Sequence, residues 1–101
     1  MEKLRPHYPL HLVLQCAAIP DAVHFTRIAF DRATELKMTR NDMLSVIQNL
    51  NMSVFYKSMT TYFDHLTWQD VYHPIYCGIT LYVKLTLIAS ENLLVVSFKR
   101  R

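Results

Sequence analysis

Residues 55–74 read FYKSMTTYFDHLTWQDVYHP, setting Lys57, Gln69, two histidines and several hydroxyls among Phe, Tyr and Trp rings. That mixture suits a surface that meets charged, ring-bearing ligands. An ammonium neutralises phosphate oxygens, a carboxamide offers both a donor and an acceptor edge, and aromatic faces stack on unpaired bases. Groups for metal chemistry are scarce. No carboxylate cluster stands at metal-binding spacing, and Cys16 and Cys77 fall in no paired motif. The cysteines therefore read as reduced thiols, and neither a metal nor another cofactor is expected. His65 carries an imidazole that could move a proton, although a structural or capping role is commoner for such a histidine.

These side chains need a platform, and the second half of the chain supplies one. Ile79, Leu81, Val83, Leu85 and Leu87 alternate with Thr80, Tyr82, Lys84 and Thr86, the period of a half-buried strand. A turn at Ala89–Asn92 returns the chain through Leu93 to Lys99. An apolar face is kept if Leu87 opposes Leu94, Leu85 opposes Val96 and Val83 opposes Phe98. The other face then pairs Lys84 with Ser97 and Tyr82 with Lys99, with directly opposed Cβ atoms about 4.5–5.5 Å apart. A phenol and two ammonium groups meet on one exposed patch.

The first half reads as helices. Leu10, Val13, Leu14 and Ala17 form one stripe between Pro9 and Pro20; Ala22, Phe25, Ala29, Ala33 and Leu36 form a second. A third begins at Thr39, with Asp42 placed to complete a cap, and continues through Met43, Val46, Ile47 and Leu50. Helices first and strands afterwards predict an α+β fold, with three N-terminal helices packed on a twisted antiparallel sheet.

The bulk numbers fit one globular domain over residues 1–101: 51% of residues are hydrophobic and 19% charged. A net charge of +3 and a pI near 9.0 suit nucleic acid or an acidic protein partner. MEKLR followed by LHLVLQCAAI has the outline of a signal peptide, but Pro6, Pro9, His11 and Gln15 interrupt it. A cytoplasmic protein is expected. No run approaches the ~18 apolar residues of a membrane span.

FYKSMTTY (Phe55–Tyr62), WQDVY (Trp68–Tyr72), LYVKLT (Leu81–Thr86) and VVSFK (Val95–Lys99) resemble, in matching order, the bacterial motility quorum-sensing regulator toxins, MqsR. The likeness extends to the MEK–PH start. It implies a RelE-like fold and the toxin of a type II toxin–antitoxin pair, which cleaves messenger RNA without a ribosome and prefers GCU. The family's catalytic positions fall on Lys57, Gln69, Tyr82 and Lys99. Tyr56, Met59, His73, Lys84 and Arg100 are placed as RNA-binding neighbours, with Tyr62 and Trp68 as further stacking candidates. The partner implied is an MqsA-like antitoxin with a zinc-binding N-terminal domain and a helix-turn-helix domain. DNA is then reached only through that partner, and no membrane is involved.

RNA carries its own nucleophile, so such an enzyme requires no metal. The 2′-OH attacks the adjacent phosphate, and the protein supplies positioning, charge and proton transfer. Lys57 and Lys99 can neutralise phosphate oxygens, and Lys57, if crowded by cations, could instead serve as base. His73 stands where the family's better-known member carries arginine. If it touches RNA, activity is expected to rise as pH falls from about 8 to 6. The alternative from another class is a non-catalytic module that holds RNA or protein on the same basic, aromatic face. Convergence of Lys57, Gln69, Tyr82 and Lys99 on one cleft, and cutting of RNA, separate the two.

Overall fold

The computed structural model describes every residue except Ala89 and Ser90, so the expected turn lies partly outside the described residues. Its elements run β1 (Glu2–Lys3), α1 (Leu10–Ala17), β2 (Val23–Phe25), α2 (Arg27–Glu35), α3 (Arg40–Gln48), β3 (Phe55–Met59), β4 (Gln69–Tyr72), β5 (Ile75–Tyr76), β6 (Ile79–Ile88) and β7 (Asn92–Arg100). The architecture is α+β, as expected. The main sheet has the order β1-β3-β4-β6-β7-β2, and β5 pairs with β6 off that path. It is antiparallel except where β2 runs parallel to β7.

Capping chemistry starts the helices. The Thr39 hydroxyl accepts from the Asp42 N–H at 3.1 Å, and the Asp42 carboxylate accepts from the Thr39 N–H at 2.8 Å. This reciprocal box starts α3 where the sequence placed it. The second stripe behaves differently. It does not form one helix from Ala22, because Val23–Phe25 adds to the sheet and the helix begins only after Thr26. Ala29 and Ala33, four positions apart, still form its buried stripe. Their small side chains let α2 lie close against β7.

The helices cover one face of the sheet. Tyr72, Leu81, Val83, Leu85, Leu93, Val95 and Phe98 from that face join Val13, Ala17, Met43 and Ile47 in the core. The β6–β7 ladder pairs Leu81 with Arg100, Tyr82 with Lys99, Val83 with Phe98 and Lys84 with Ser97, then shifts. Beyond the shift Leu85 opposes Val95, not Val96, and Leu87 opposes Leu93, not Leu94. Burial explains the correction. Leu93, Val95 and Phe98 are all fully buried, and strict alternation cannot put two odd positions and one even position on the same face. A bulge after Lys84 supplies the extra residue. Thr26 pins it: its N–H donates to the Val95 carbonyl at 3.1 Å and its hydroxyl donates to the Val96 carbonyl at 2.9 Å. The same hydroxyl accepts from the Ala29 N–H and caps α2.

A polar clamp on the same covered side secures the N-terminal arm. The buried Asp70 carboxylate accepts from the His7 N–H at 3.0 Å and the Tyr8 N–H at 2.9 Å. The Tyr8 hydroxyl donates to the Trp68 carbonyl at 3.1 Å and lies 2.8 Å from the Thr86 hydroxyl. The N-terminal arm is thereby tied down, and β1 adds to the edge strand β3.

Two substitutions test these ties. Asp70→Asn, which sets an amide against one of the two N–H donors, should cost about 2 kcal/mol in urea unfolding and speed hydrogen exchange in residues 2–8. Thr26→Val, which removes both the cap and the bulge contact, should cost about 1–2 kcal/mol, with Thr26→Ser recovering most of it.

Candidate active site

Pairing fixes which side chains share the face left open by the helices. Lys57 on β3 opposes Val71 on β4, Val71 opposes Lys84 on β6, and Lys84 opposes Ser97 on β7. Val71 is fully buried, so this row of polar groups lies over an apolar floor. The next row toward β1 carries Met59 and Gln69, with Glu2 opposite Met59. The row on the other side carries Tyr82 and Lys99. Lys57, Met59, Gln69, Tyr82, Lys84 and Lys99 therefore share one face. The Tyr82–Lys99 and Lys84–Ser97 pairs stand as the sequence register placed them.

A bulge in β3, between Phe55 and Lys57, turns Tyr56 outward. The Tyr56 ring stacks on His73 with centroids 4.4 Å apart and planes at 25°. His73 in turn lies 5.7 Å from Tyr82. The Lys99 ammonium is 5.2 Å from the Tyr82 ring centroid and the Lys84 ammonium 5.9 Å. The Lys57 ammonium is 5.3 Å from the Tyr56 ring and contacts the Glu2 carboxylate. Among the described residues, the buried Gln69 Oε1 and His73 Nε2 find no hydrogen-bond partner, leaving an acceptor and a ring nitrogen unassigned on this face.

Each ionisable group is shifted for a physical reason. The hydrogen bond from Lys57 to Glu2 raises the lysine's pKa, outweighing burial, and holds it as an ammonium. Lys57 is therefore not the lysine whose neutral form is favoured. The lysine lowered from its ordinary value is Lys84, first by burial and then by Lys99 and Lys57. Burial raises the Tyr82 phenol, against an opposite pull from Lys57, so it keeps its proton at neutral pH. Burial, with Arg101 nearby, lowers the His73 imidazole.

Other expected contacts lie elsewhere. Arg100 pairs with Leu81, a core residue, and so belongs to the covered side, where it lines a groove with Arg32 and Glu35. Arg101 is the C-terminal arginine whose charge His73 feels. One face of Trp68 is stacked on His7 at 5.4 Å, and the Lys3 ammonium sits 4.1 Å from its ring. Tyr62 and Phe63, 92% and 95% exposed, stand with His65 in the loop between β3 and β4. Glu2 and Arg101 escaped the sequence reading. Nothing local marks them, since Glu2 reaches Lys57 only because β1 joins β3. Among the described residues, no three His, Cys, Asp or Glu side chains gather as a metal-holding group.

Residues 5–100 match the family model described as "Motility quorum-sensing regulator, toxin of MqsA". The chain is also 44% identical, over 101 residues, to an mRNA interferase toxin MqsR from Escherichia coli (strain K12), covering 100% of both proteins.

The lowered His73 moves the pH window expected from sequence toward the acid side. A neutral ring's contribution to stability is present above histidine's ordinary value of about 6.5 and is lost as pH falls through the lower folded value. Burial keeps the ring mostly neutral near pH 7.5, so anisotropy titrations with a single-stranded RNA oligonucleotide should show any His73-dependent gain in affinity growing only as the pH falls below about 6.5. His73→Arg should bind several-fold tighter at pH 7.5, through a permanent charge.

Proposed function

Because the chain belongs to the family of motility quorum-sensing regulator toxins, we propose that it is an mRNA interferase, an endoribonuclease toxin that cuts single-stranded messenger RNA on the open sheet face. The observation that carries this reading is the convergence of Lys57, Gln69, Tyr82 and Lys99 on one uncovered face, with Lys84 between them. Three ammonium groups over an apolar floor form a phosphate site, and the stacked Tyr56 and His73 rings offer a platform for a base.

The reaction is transesterification within the RNA. The substrate's 2′-oxygen attacks the adjacent phosphorus and the bond to the 5′-oxygen breaks, leaving a 2′,3′-cyclic phosphate and a 5′-hydroxyl. Lys57 and Lys99 neutralise charge that grows on the phosphate oxygens. Tyr82, held protonated by burial, gives its proton to the departing 5′-oxygen. Gln69, whose Oε1 is buried and unpartnered, turns its carboxamide outward to accept from a base or a ribose hydroxyl and sets the register of the strand. Short cleavage sequences, GCU-like by family resemblance, follow from such edge contacts. On this reading the protein supplies the positioning, the phosphate-neutralising charge and the leaving-group proton, and the RNA supplies the nucleophile, so neither a ribosome nor a metal is invoked.

A toxin of this kind is restrained by its antitoxin, here an MqsA-like protein whose own N-terminal domain holds zinc. The substrate places the activity in the bacterial cytoplasm. Among the described residues, no helix is long and apolar enough to cross a membrane.

Purified protein incubated with a long unstructured RNA in EDTA should cut at a short recurring sequence and leave 2′,3′-cyclic ends. Lys57→Ala and Tyr82→Phe should each lower the rate by about 100-fold or more. Intact RNA from folded protein would overturn the ribonuclease reading and make the face a binding surface.

A further inference from the structure

The cleavage step needs a group to take the proton from the attacking 2′-oxygen, and the four family positions do not supply one without conflict. Lys57 is held charged by its contact with a carboxylate, and Tyr82 is held protonated by burial. Lys99 stands at the Tyr82 end, where charge develops on the leaving side. The carboxylate beside Lys57 belongs to Glu2, on the two-residue strand β1. Its pairing with Met59 puts it on the open face, at the rim of the lysine rows. The Glu2 side chain is 59% exposed while that of Lys57 is 20% exposed, so the carboxylate is the more accessible member of the pair.

The two aspartates nearest these strands are otherwise engaged. Asp70 faces the covered side and accepts from His7 and Tyr8. Asp64 accepts from the Leu66 and Thr67 N–H groups in its own loop.

We propose that Glu2 is the general base of this ribonuclease centre, a catalytic residue that takes the 2′-hydroxyl proton while Lys57 beside it holds the scissile phosphate. The inference rests on the ribonuclease reading above. The 2′-O–H bond breaks as its proton passes to a Glu2 carboxylate oxygen, and the 2′-oxygen bonds to phosphorus. The phosphorus–5′-oxygen bond breaks, and the 5′-oxygen receives the Tyr82 proton. The phenolate left behind faces the Lys99 and Lys84 ammonium groups, at 5.2 and 5.9 Å from the ring centroid. Water then reprotonates Tyr82 and takes the proton from Glu2, so the enzyme returns unchanged. Lys57 serves two ends in this arrangement. It orients the carboxylate through a charge-assisted hydrogen bond, and it stays cationic because the carboxylate is there.

The titratable and charged groups around Glu2 are Lys57 on β3, Tyr56 at the β3 bulge and Tyr82 on β6, with Lys84 and Lys99 behind them. Lys3, on the same strand, turns to the other face, toward His7 and Trp68.

The experiment is single-turnover cleavage of an end-labelled unstructured RNA from pH 3 to 9 by the full chain, comparing wild type, Glu2→Gln and Glu2→Asp, so that the range reaches below a glutamate's reference value of about 4.3. Glu2→Gln should keep RNA affinity within about twofold, lose about 100-fold in rate and lack the acid limb of the wild-type profile. Glu2→Asp should recover part of the rate and displace that limb. Glu2→Gln cutting within about threefold of wild type, or faster, would overturn the assignment. So would a limb unmoved in Glu2→Asp, which also decides the matter if the glutamine unseats β1. The wild-type lane is read first: RNA left intact there refutes the ribonuclease reading itself, whereas active wild type with unaffected variants refutes only the role of Glu2.

Discussion

A buried carboxylate paired with backbone N–H groups sets the frame for everything on the open face. Removing a carboxylate from water costs several kcal/mol unless hydrogen bonds replace the lost solvation. Asp70 meets that cost with the His7 and Tyr8 N–H groups. Those bonds fix a segment more than 60 positions away in sequence. They also fix the strand's facing. With Asp70 under the sheet, Gln69 and Val71 must point to the opposite side. The N-terminal arm that Asp70 secures is the arm that brings Glu2 to Lys57. The clamp and the proposed chemistry therefore occupy opposite faces of the same two strands.

Two bulges complete the frame, and each re-aims side chains at the rim of the site. In β3 the extra residue is Tyr56, which leaves the ladder and stacks on His73. In the β6–β7 ladder the shift after Lys84 lets Leu93 and Val95 share the core with Phe98, while Lys99 still opposes Tyr82. Without it, burying Leu93 and Val95 would turn Phe98 outward and Lys99 into the core. The same local irregularity thus preserves both the apolar face and the cationic one. Thr26 couples it to the start of α2, so helix placement and strand register are set together.

Periodicity carried much of this into the sequence. The alternation from Ile79 to Leu87 revealed the long strand, and the Thr39–Asp42 spacing revealed the start of α3. Both signals are local, arising from neighbours within a few positions. The Tyr82–Lys99 pair was legible because it lies on the part of the ladder where simple alternation holds. The pairing of Leu85 with Val95 was not, since a bulge leaves little composition signature when one of its residues is another valine. β2 was read as part of a helix because three residues, Val23–Phe25, are too few to establish a period. Glu2 lay beyond reach for a different reason. Its partner is 55 positions away, across a strand pairing of two residues. Arg100 follows Lys99 directly in sequence but not in facing, because successive strand residues point to opposite faces.

The open face also explains why its charges remain unbalanced. Lys57, Lys84 and Lys99 lie close enough that two of them depress the third, and like charges held together cost stability. Folding alone gives no reason to gather them. The Glu2 carboxylate offsets the repulsion at Lys57 but does not contact Lys84, whose ammonium is also partly desolvated. A polyanion relieves what Glu2 leaves. A phosphate among the three lysines favours the charged form of Lys84, so strand binding and proton uptake at Lys84 are thermodynamically linked. The strain of the empty face becomes binding energy for the phosphate that neutralises it. That is the physical sense in which a surface costly to the folded protein is suited to RNA.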